Sequence, residues 1–248
     1  MVSPRHLLFI GQEAAKMFIL NQVRRRGLDI TRSPFSVQLQ RIIDTHGIDS
    51  VLDVGANIGQ YGSGLRSGGF AGRIVSCEPQ SLAHGRLASR VAGDPLWEAV
   101  PLAAGAQDST LLINIARNSY SSSFLSPAAL QLEITPAARV VATEEVSVTT
   151  VDALIERYHL NPSNLLLKID AQGYEQSVLD GAQTALGSLA AVQLELSLAV
   201  LYEGQQLFDD MLTRLRDLGY SLHALDPGFF HPRTGQLLWC DGVFVRTQ

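Results

Sequence analysis

Hydrophobic runs and helical patterns alternate along most of the chain. From about residue 37, short apolar runs of strand character are separated by segments with helical spacing. This alternation is typical of a parallel sheet that is covered by helices on both faces. We therefore predict one α/β domain over residues 37–248, built on a Rossmann-like, doubly wound sheet. The predicted strands are 50–54, 72–77, 99–104, 111–116, 139–148, 165–170, 191–196, 220–225 and 237–245.

Helices are predicted between several of these strands. They cover residues 38–46, a segment that begins near Gly59, and residues 82–91 and 206–218. Pro101 interrupts the third predicted strand, and because proline cannot donate to a sheet ladder, that strand is expected at an edge. The last two strands are expected to pair in antiparallel fashion at the sheet edge.

Residues 1–36 are predicted to form a separate helical arm. Its two apolar patches are split by Gln12, Glu13 and Lys16, so it lacks the unbroken apolar stretch of about 7–15 residues of a signal peptide or about 20 of a membrane span. The pattern indicates an amphipathic helix, followed by the basic cluster Arg24–Arg26. Two roles stay open: a helix that caps the domain, and peripheral docking to a membrane surface.

Composition narrows the class of protein. Of the 248 residues, 46% are hydrophobic and 17% are charged, which excludes intrinsic disorder. The formal net charge of −5 argues against a partner nucleic acid held by a broad basic face. Cys77 and Cys240 match neither a disulfide framework nor a zinc spacing, so we expect a cytoplasmic protein.

The strongest chemical signal is the segment VLDVGANIG at residues 51–59. It places Asp53 on a strand and Gly55 and Gly59 in the following turn, where glycine lets a ligand approach the backbone and the helix N-terminus offers free N–H groups. Glu78 follows the next strand, where a carboxylate can accept both hydroxyls of a ribose. Together these residues predict a cofactor that contains adenosine.

The turn favours S-adenosylmethionine over other adenosine cofactors. The dinucleotide fingerprint G-x-G-x-x-G is not met, because Asn57 stands where the second glycine is needed, and the chain has no P-loop. Asp53 before the turn suits a ligand with an amino group. Two alternatives stay open: an NAD(P)-dependent oxidoreductase, although no Tyr-x-x-x-Lys pair is present, and a non-catalytic protein that binds adenosine or a glycan.

Five segments resemble the FkbM-type class I methyltransferases, and the resemblance runs from about residue 48 to residue 246. They are DVGANIG at 53–59, CEP at 77–79, LAAG at 102–105, TTVDAL at 149–154 and LKIDAQGYE at 167–175. The resemblance implies a seven-stranded, mostly parallel sheet with an antiparallel last strand. It also implies methyl transfer from S-adenosylmethionine to a hydroxyl, with sugars, glycolipids and secondary metabolites as the acceptors.

The resemblance also implies roles for individual residues. Four residues of the first motif are expected to border the methionine moiety: Asp53, Gly55, Asn57 and Gly59. Glu78 is expected to hold the ribose, and Ala103 to lie near the adenine. The chain departs from the family at Gln172, where glutamate is frequent, so no role is predicted for that side chain.

Methyl transfer requires an acceptor oxygen that is held in line and loses its proton. Asp170 ends a predicted strand, where ligands bind in open α/β sheets, and is the first candidate to hold the acceptor, take its proton or bind a cation. Glu175 opens the next helix and is either a second catalytic acid or a favourable charge at the helix dipole. Lys168 faces the same side of the strand as Asp170 and is expected to pair with an acid.

Other polar and aromatic residues are weaker candidates. Glu195 is expected beside Asp170 on the neighbouring strand, where two carboxylates can hold Mg²⁺. His223 and His231 flank a late loop, and each is either a general base or a structural histidine. The hydroxyl-rich segment 118–124 is either a lid that contacts the acceptor or a solvated loop. Four late aromatic residues either stack on a sugar or belong to the core: Tyr202, Phe229, Phe230 and Trp239.

Overall fold

The computed structural model describes residues 34–247, which contain seven α-helices and ten strands. The helices are α1 Pro34–Thr45, α2 Gln60–Gly68, α3 Ser81–Val91, α4 Ala129–Ile134, α5 Val151–Arg157, α6 Glu175–Asp180 and α7 Phe208–Asp217. The strands are β1 Ser50–Val54, β2 Arg73–Cys77, β3 Trp97–Val100, β4 Ala103–Ala104, β5 Ser109–Ala116, β6 Val140–Thr149, β7 Leu165–Ile169, β8 Ala191–Ser197, β9 Tyr220–Phe230 and β10 Leu237–Arg246.

Seven strands form the main sheet in the order β3-β2-β1-β7-β8-β10-β9. Strands β3, β2, β1, β7 and β8 pair in parallel, and β10 runs antiparallel to both of its neighbours. Every residue of β1 and of β7 is buried, as expected for central strands that helices cover on both faces. The prediction of a Rossmann-like, mostly parallel sheet with an antiparallel last strand is therefore confirmed.

The segment around Pro101 differs from the prediction of one strand over residues 99–104. The chain leaves the main sheet after β3, which is an edge strand, and Ala103–Ala104 pairs instead with β6. Strand β5 pairs on the other side of β6, so these three strands form a second, small sheet. Proline explains the break, because its ring removes the N–H that would continue the ladder.

The β9–β10 hairpin extends further than predicted. Strand β9 continues to Phe230 instead of ending at residue 225, with register irregularities opposite Trp239 and Cys240. This extension brings Phe229 and Trp239 to the end of the sheet where the central parallel strands also end.

Part of the N-terminal prediction lies outside the described residues. Residues 1–33 of the predicted arm are not described, so the domain boundary and the membrane contact stay predictions. Within residues 34–247, no helix combines the length and the apolar character needed to cross a bilayer.

Candidate functional site

A cavity of about 580 Å³ opens at the carboxyl ends of β1, β2 and β7, within the size range of small-molecule sites. Its wall has two parts, which we name by their structure. The turn side consists of Gly55, Asn57, Glu78, Gln80, Ala103 and Ser119. The carboxylate side consists of Lys168, Asp170, Gln172, Gln193, Glu195 and Asp241.

The β1–α2 turn depends on Gly55. Its φ is 77°, and a Cβ atom there would lie 1.9 Å from the carbonyl oxygen of Asp170. The backbone N–H groups of Gly55 and Ala56 both donate to the carbonyl of Cys77 at 3.0 Å. This glycine therefore allows the turn after β1 to pack directly against the turn after β7, and it joins the two sides of the cavity.

Glu78 is fixed by backbone donors on the turn side. Its Oε2 accepts the N–H of Asn57 at 2.8 Å, and its Oε1 accepts the N–H of Gln80 at 2.8 Å. Burial raises the pKa of Glu78 to about 7, although these two N–H groups oppose the shift. Since a carboxylate oxygen can accept two hydrogen bonds, each oxygen retains a lone pair for a ligand in the cavity.

The hydroxyl-rich segment 118–124 closes over the turn side. Asn57 donates through Nδ2 to Ser119 Oγ at 3.1 Å, and Gln80 donates through Nε2 to the Ser119 carbonyl at 3.4 Å. Ser123 Oγ donates to the carbonyl of Gln172 at 2.7 Å, so the segment also contacts the carboxylate side. It thus forms part of the cavity wall, and a lid function stays a prediction.

Two residues predicted to border the methionine moiety do not line the cavity. Asp53 is fully buried beneath it, where Ser76 Oγ donates to Oδ2 at 3.0 Å and Lys168 Nζ lies 3.5 Å from Oδ1. Burial raises the pKa of Asp53, and Lys168 opposes this shift. Gly59 precedes α2 with a φ of 84°, and a Cβ there would lie 2.8 Å from Leu87 Cδ1, so it allows close packing.

The other predicted cofactor contacts are together on the turn side. Gly55, Asn57, Glu78 and Ala103 all line the cavity. The structure thus brings them to one wall, and their contacts with a cofactor stay predictions.

Lys168 links the buried layer to the carboxylate side. Its Nζ lies 3.3 Å from Asp170 Oδ2, 3.5 Å from Asp53 Oδ1 and 5.3 Å from the centre of the Tyr61 ring. Burial by itself lowers the pKa of Lys168, but the charges of Asp170 and Asp53 outweigh it and hold the pKa above its ordinary value. The lysine therefore remains a cation and holds one oxygen of Asp170.

Gln172 connects the polar groups of the carboxylate side, although no role was predicted for it. Its Nε2 donates to Asp170 Oδ1 at 2.7 Å and lies 3.4 Å from Glu195 Oε2, and its Oε1 accepts the Tyr202 hydroxyl at 2.9 Å. Its φ is 53°, a left-handed conformation that is uncommon outside glycine. No sequence signal indicated this bridge, because Tyr202 and Glu195 are distant from Gln172 along the chain.

Glu195 and Asp241 lie opposite each other in the β8–β10 ladder, and both line the cavity. Burial and the charge of Asp170 raise the pKa of Glu195 well above its ordinary value, and the same causes raise the pKa of Asp241 to about 7. No sequence pattern indicated Asp241, because a lone acid in an otherwise apolar late strand belongs to no motif.

The structure does not support a Mg²⁺ site at Asp170 and Glu195. Among residues 34–247, no three His, Cys, Asp or Glu side chains are grouped so that they could hold a metal ion. Instead, the Nε2 group of Gln172 stands between the two carboxylates, and the ammonium of Lys168 contacts Asp170.

Glu175, a predicted catalytic acid, supports the loop after β7. Its Oε1 accepts the N–H groups of Ala171 at 2.9 Å and Gly173 at 3.1 Å, and the side chain is buried. Burial raises its pKa to about 7. Glu175 does not line the cavity, so the geometry gives it a positioning role for the loop that carries Gln172.

The two candidate histidines also lie outside the cavity wall. His223 is exposed on β9, with Nδ1 2.9 Å from the carbonyl of Ser221. His231 is buried at the β9–β10 turn, where its Nδ1 accepts the N–H groups of Arg233 at 3.2 Å and Thr234 at 3.3 Å. The structure therefore does not bring either imidazole together with Asp170.

Two comparisons with known proteins give matches. The family model described as the methyltransferase FkbM domain matches residues 53–222, which include most of the cavity wall and end before β10. Similar solved structures include an rRNA methylase from Streptococcus thermophilus, with 10% identity, a TM-score of 0.45, and coverage of 88% of this chain and 99% of that one. A TehB-like SAM-dependent methyltransferase from Corynebacterium glutamicum has 13% identity, a TM-score of 0.38, and coverage of 99% and 100%.

A third similar structure is the CcbJ methyltransferase from Streptomyces caelestis. It has 10% identity, a TM-score of 0.42, and coverage of 88% of this chain and 97% of that one. No curated protein sequence matches this chain at a significant level. The expectation that no nucleic acid is a partner is not tested by these matches and stays a prediction.

Proposed function

Because the chain belongs to the FkbM methyltransferase family, and so to the S-adenosylmethionine-dependent methyltransferases, we propose that it is an O-methyltransferase. The proposed acceptor is a hydroxyl of a sugar, a glycolipid or a related secondary metabolite. The single observation that carries the proposal is that Glu78 and Asp170, the two carboxylates predicted for ribose and acceptor, line the same cavity.

The turn side fits the cofactor. Gly55 lets the turn after β1 pack against the loop after β7, and Glu78 offers two oxygens fixed by backbone N–H groups. We propose that Glu78 accepts the ribose hydroxyls, and that Ala103 and the 118–124 segment border the adenine. Bound S-adenosylmethionine supplies a methyl group on a sulfonium, which is electrophilic.

The carboxylate side fits the acceptor. Asp170 is accessible, with 38% of its side chain exposed, while Lys168 and Gln172 each hold one of its oxygens. A carboxylate fixed in this way can accept the hydrogen bond of an acceptor hydroxyl, orient its oxygen and take its proton. We therefore propose Asp170 as the catalytic residue, with Lys168 and Gln172 as positioning residues.

The charge of the protein bears on the chemical class of its acceptor. We propose a small molecule or the head group of a glycolipid as acceptor, and no nucleic acid, because the formal net charge is −5 and the charged residues of the cavity wall are mostly acidic. A cytoplasmic location, with contact of residues 1–36 to the inner membrane surface, belongs to the same proposal.

Calorimetric titration with S-adenosylhomocysteine, run beside NAD, tests the cofactor assignment. Micromolar binding of S-adenosylhomocysteine alone is expected, and Glu78→Gln is expected to weaken it, whereas Glu145→Gln on the exposed face of β6 is the matched control. Binding of NAD alone would overturn the assignment. Methyl transfer from labelled S-adenosylmethionine to neutral sugars and glycolipid extracts then tests catalysis; binding of the cofactor without transfer to any of them would indicate a non-catalytic protein.

A further inference from the structure

Three residues of the carboxylate side belong to β8 and β10, whereas the proposed catalytic residue Asp170 follows β7. Gln193 and Glu195 are two residues apart on β8, so their side chains leave the same face of the sheet. Asp241 is the register partner of Glu195 on β10. Because directly opposed residues of an antiparallel pair also share a face, all three side chains point into the cavity that they line.

Polar atoms of this group lack partners in the described part of the chain. Gln193 is only 3% exposed, and the Tyr61 hydroxyl donates to its Oε1 at 2.7 Å. This hydrogen bond fixes the amide and leaves Nε2, which has no hydrogen-bond partner among residues 34–247. The carboxylate of Asp241 likewise makes no hydrogen bond or ion pair within these residues. Both groups face the cavity, so the amide donor and the carboxyl oxygens are available to a ligand that carries hydroxyls.

The charged residues of the cavity wall limit the charge that a ligand can have there. Among the described residues that line the cavity, four are carboxylates: Glu78, Asp170, Glu195 and Asp241. Lys168 is the cation of this wall, and it is already held between Asp53 and Asp170. A phosphate or carboxylate next to Glu195 and Asp241 would therefore find no free cation among the described lining residues, and it would repel either acid in its ionised form.

We propose that Gln193, Glu195 and Asp241 form the acceptor-recognition group, and that the acceptor is an uncharged polyhydroxyl ring with no anionic group near its reacting hydroxyl. This inference rests on the proposed methyltransferase function. Gln193 Nε2 donates to a ring or hydroxyl oxygen, and the carboxyl groups of Glu195 and Asp241 form hydrogen bonds with the hydroxyls of the ring. Phe229 and Trp239, which also line the cavity, offer an apolar surface for the ring.

A panel of simple acceptors tests the charge rule. The full-length protein is incubated with labelled S-adenosylmethionine and with methyl glycosides of glucose, mannose and rhamnose, or with glucose 6-phosphate and glucuronate. We expect methyl transfer to at least one neutral glycoside, with kcat/KM for both anionic compounds lower by about tenfold or more. Equal or better transfer to an anionic compound would overturn the inference.

Variants test the three residues. Glu195→Gln, Asp241→Asn and Gln193→Glu each remove an acceptor contact, so each is expected to raise the acceptor KM by about tenfold. The affinity for S-adenosylhomocysteine is expected to stay within twofold. Asp209→Asn on α7 and Glu145→Gln on β6 are exposed controls that lie outside the cavity wall and make the same charge change as Asp241→Asn and Glu195→Gln. Unchanged acceptor KM in the three variants contradicts the assignment.

The same measurements separate two kinds of failure. If S-adenosylhomocysteine does not bind, the proposed function itself fails. If it binds and a glycolipid extract or an anionic compound is methylated, but no neutral glycoside is methylated or changes the emission of Trp239 in the protein saturated with S-adenosylhomocysteine, only the acceptor-recognition group fails. A Trp239→Phe variant identifies the part of the emission that comes from the cavity, since Trp97 is buried beside Ser76.

Discussion

The turn side and the carboxylate side of the cavity are built in different ways. The turn side is mainly backbone: a glycine turn, two N–H groups and one carboxylate that they hold. The carboxylate side consists of side chains from β7, β8, β10 and the loop after β7, which hold one another through Lys168 and Gln172. A backbone site depends on a short local motif, whereas a side-chain site depends on strands that are distant in sequence.

The two sides also differ in their electrostatics. On the turn side, Glu78 is held by neutral donors, burial dominates its raised pKa, and the charge of Asp53 is the smallest of the causes. On the carboxylate side, burial again has the largest effect on the pKa of Glu195 and Asp241, but the charge of Asp170 adds to it. This difference indicates that the protonation of the carboxylate side depends on the charges of its own acids, whereas the protonation of Glu78 on the turn side depends mainly on burial and on hydrogen bonds.

The largest effect that separates the two sides is expected for Asp170→Asn. If Asp170 takes the proton of the acceptor, its removal is expected to lower kcat by about 10²–10⁴-fold, the range for a general base. Cofactor affinity is expected to stay within about threefold, because Glu78 and the turn are unchanged. Steady-state kinetics and calorimetry measure the two quantities, and Asp180→Asn, which removes only a surface ion pair with Arg214, is the control. Turnover at the wild-type rate would remove Asp170 from the chemistry.

Gly55→Ala is expected to damage both sides at once. A Cβ atom 1.9 Å from the Asp170 carbonyl oxygen, at a φ of 77°, forces the two turns apart. The free energy of unfolding is expected to fall by about 3 kcal/mol, since strain and overpacking each contribute about 1–3 kcal/mol. Chemical denaturation measures it. Gly64→Ala in α2, where no atom lies within 4 Å of the new Cβ, is expected to stabilise the protein by about 0.5–1 kcal/mol.

Glu78→Gln is expected to act on the turn side alone. Loss of the charged acceptor is expected to weaken S-adenosylhomocysteine binding by about 10–100-fold, since a hydrogen bond to a charged group contributes about 1.5–3 kcal/mol. In the wild type, the raised pKa of Glu78, about 7, means that the binding form is lost as the pH falls from 8 to 6. The affinity is therefore expected to increase with pH, and Glu78→Gln to flatten this dependence. A flat wild-type profile would contradict the ribose assignment.

The smallest effect concerns Glu175, which supports the loop of the carboxylate side. Glu175→Ala leaves two N–H groups unpaired and is expected to lower the free energy of unfolding by about 1–3 kcal/mol. Glu175→Gln keeps the accepting oxygen, so its stability and turnover are expected to stay close to those of the wild type at pH 6. A folded Glu175→Gln protein without turnover would instead show that the acid is catalytic.

The stability of the wild type relative to Glu175→Gln is expected to depend on pH. The pKa of Glu175 in the fold, about 7, lies above the value of about 4.3 in an unfolded chain, so the folded protein binds the extra proton. This contribution to stability is present below pH 4 and is lost as the pH rises through 7. The melting temperature of the wild type, relative to that of Glu175→Gln, is therefore expected to fall between pH 5 and pH 8.

The sequence by itself predicted the sheet and the turn side. Alternating apolar runs identified the central strands within one or two residues, and the motif at 51–59 with Glu78 located the turn after β1. These features depend on local patterns: the period of a buried strand, the need for glycine at positive φ, and the short distance along the chain from β1 to β2. The position of Asp170 at the cavity was predicted in the same way, because it follows a strand with a recognisable motif.

Only the tertiary structure decided which of the remaining polar residues meet. Gln172, which no pattern indicated, contacts both Asp170 and Glu195, whereas His223 and His231 lie away from the cavity. Asp241 reaches Glu195 because β10 inserts antiparallel between β8 and β9. The physical reason is that a side-chain cluster depends on strand order and register, which long-range packing sets, whereas a strand–turn–helix motif specifies its own geometry.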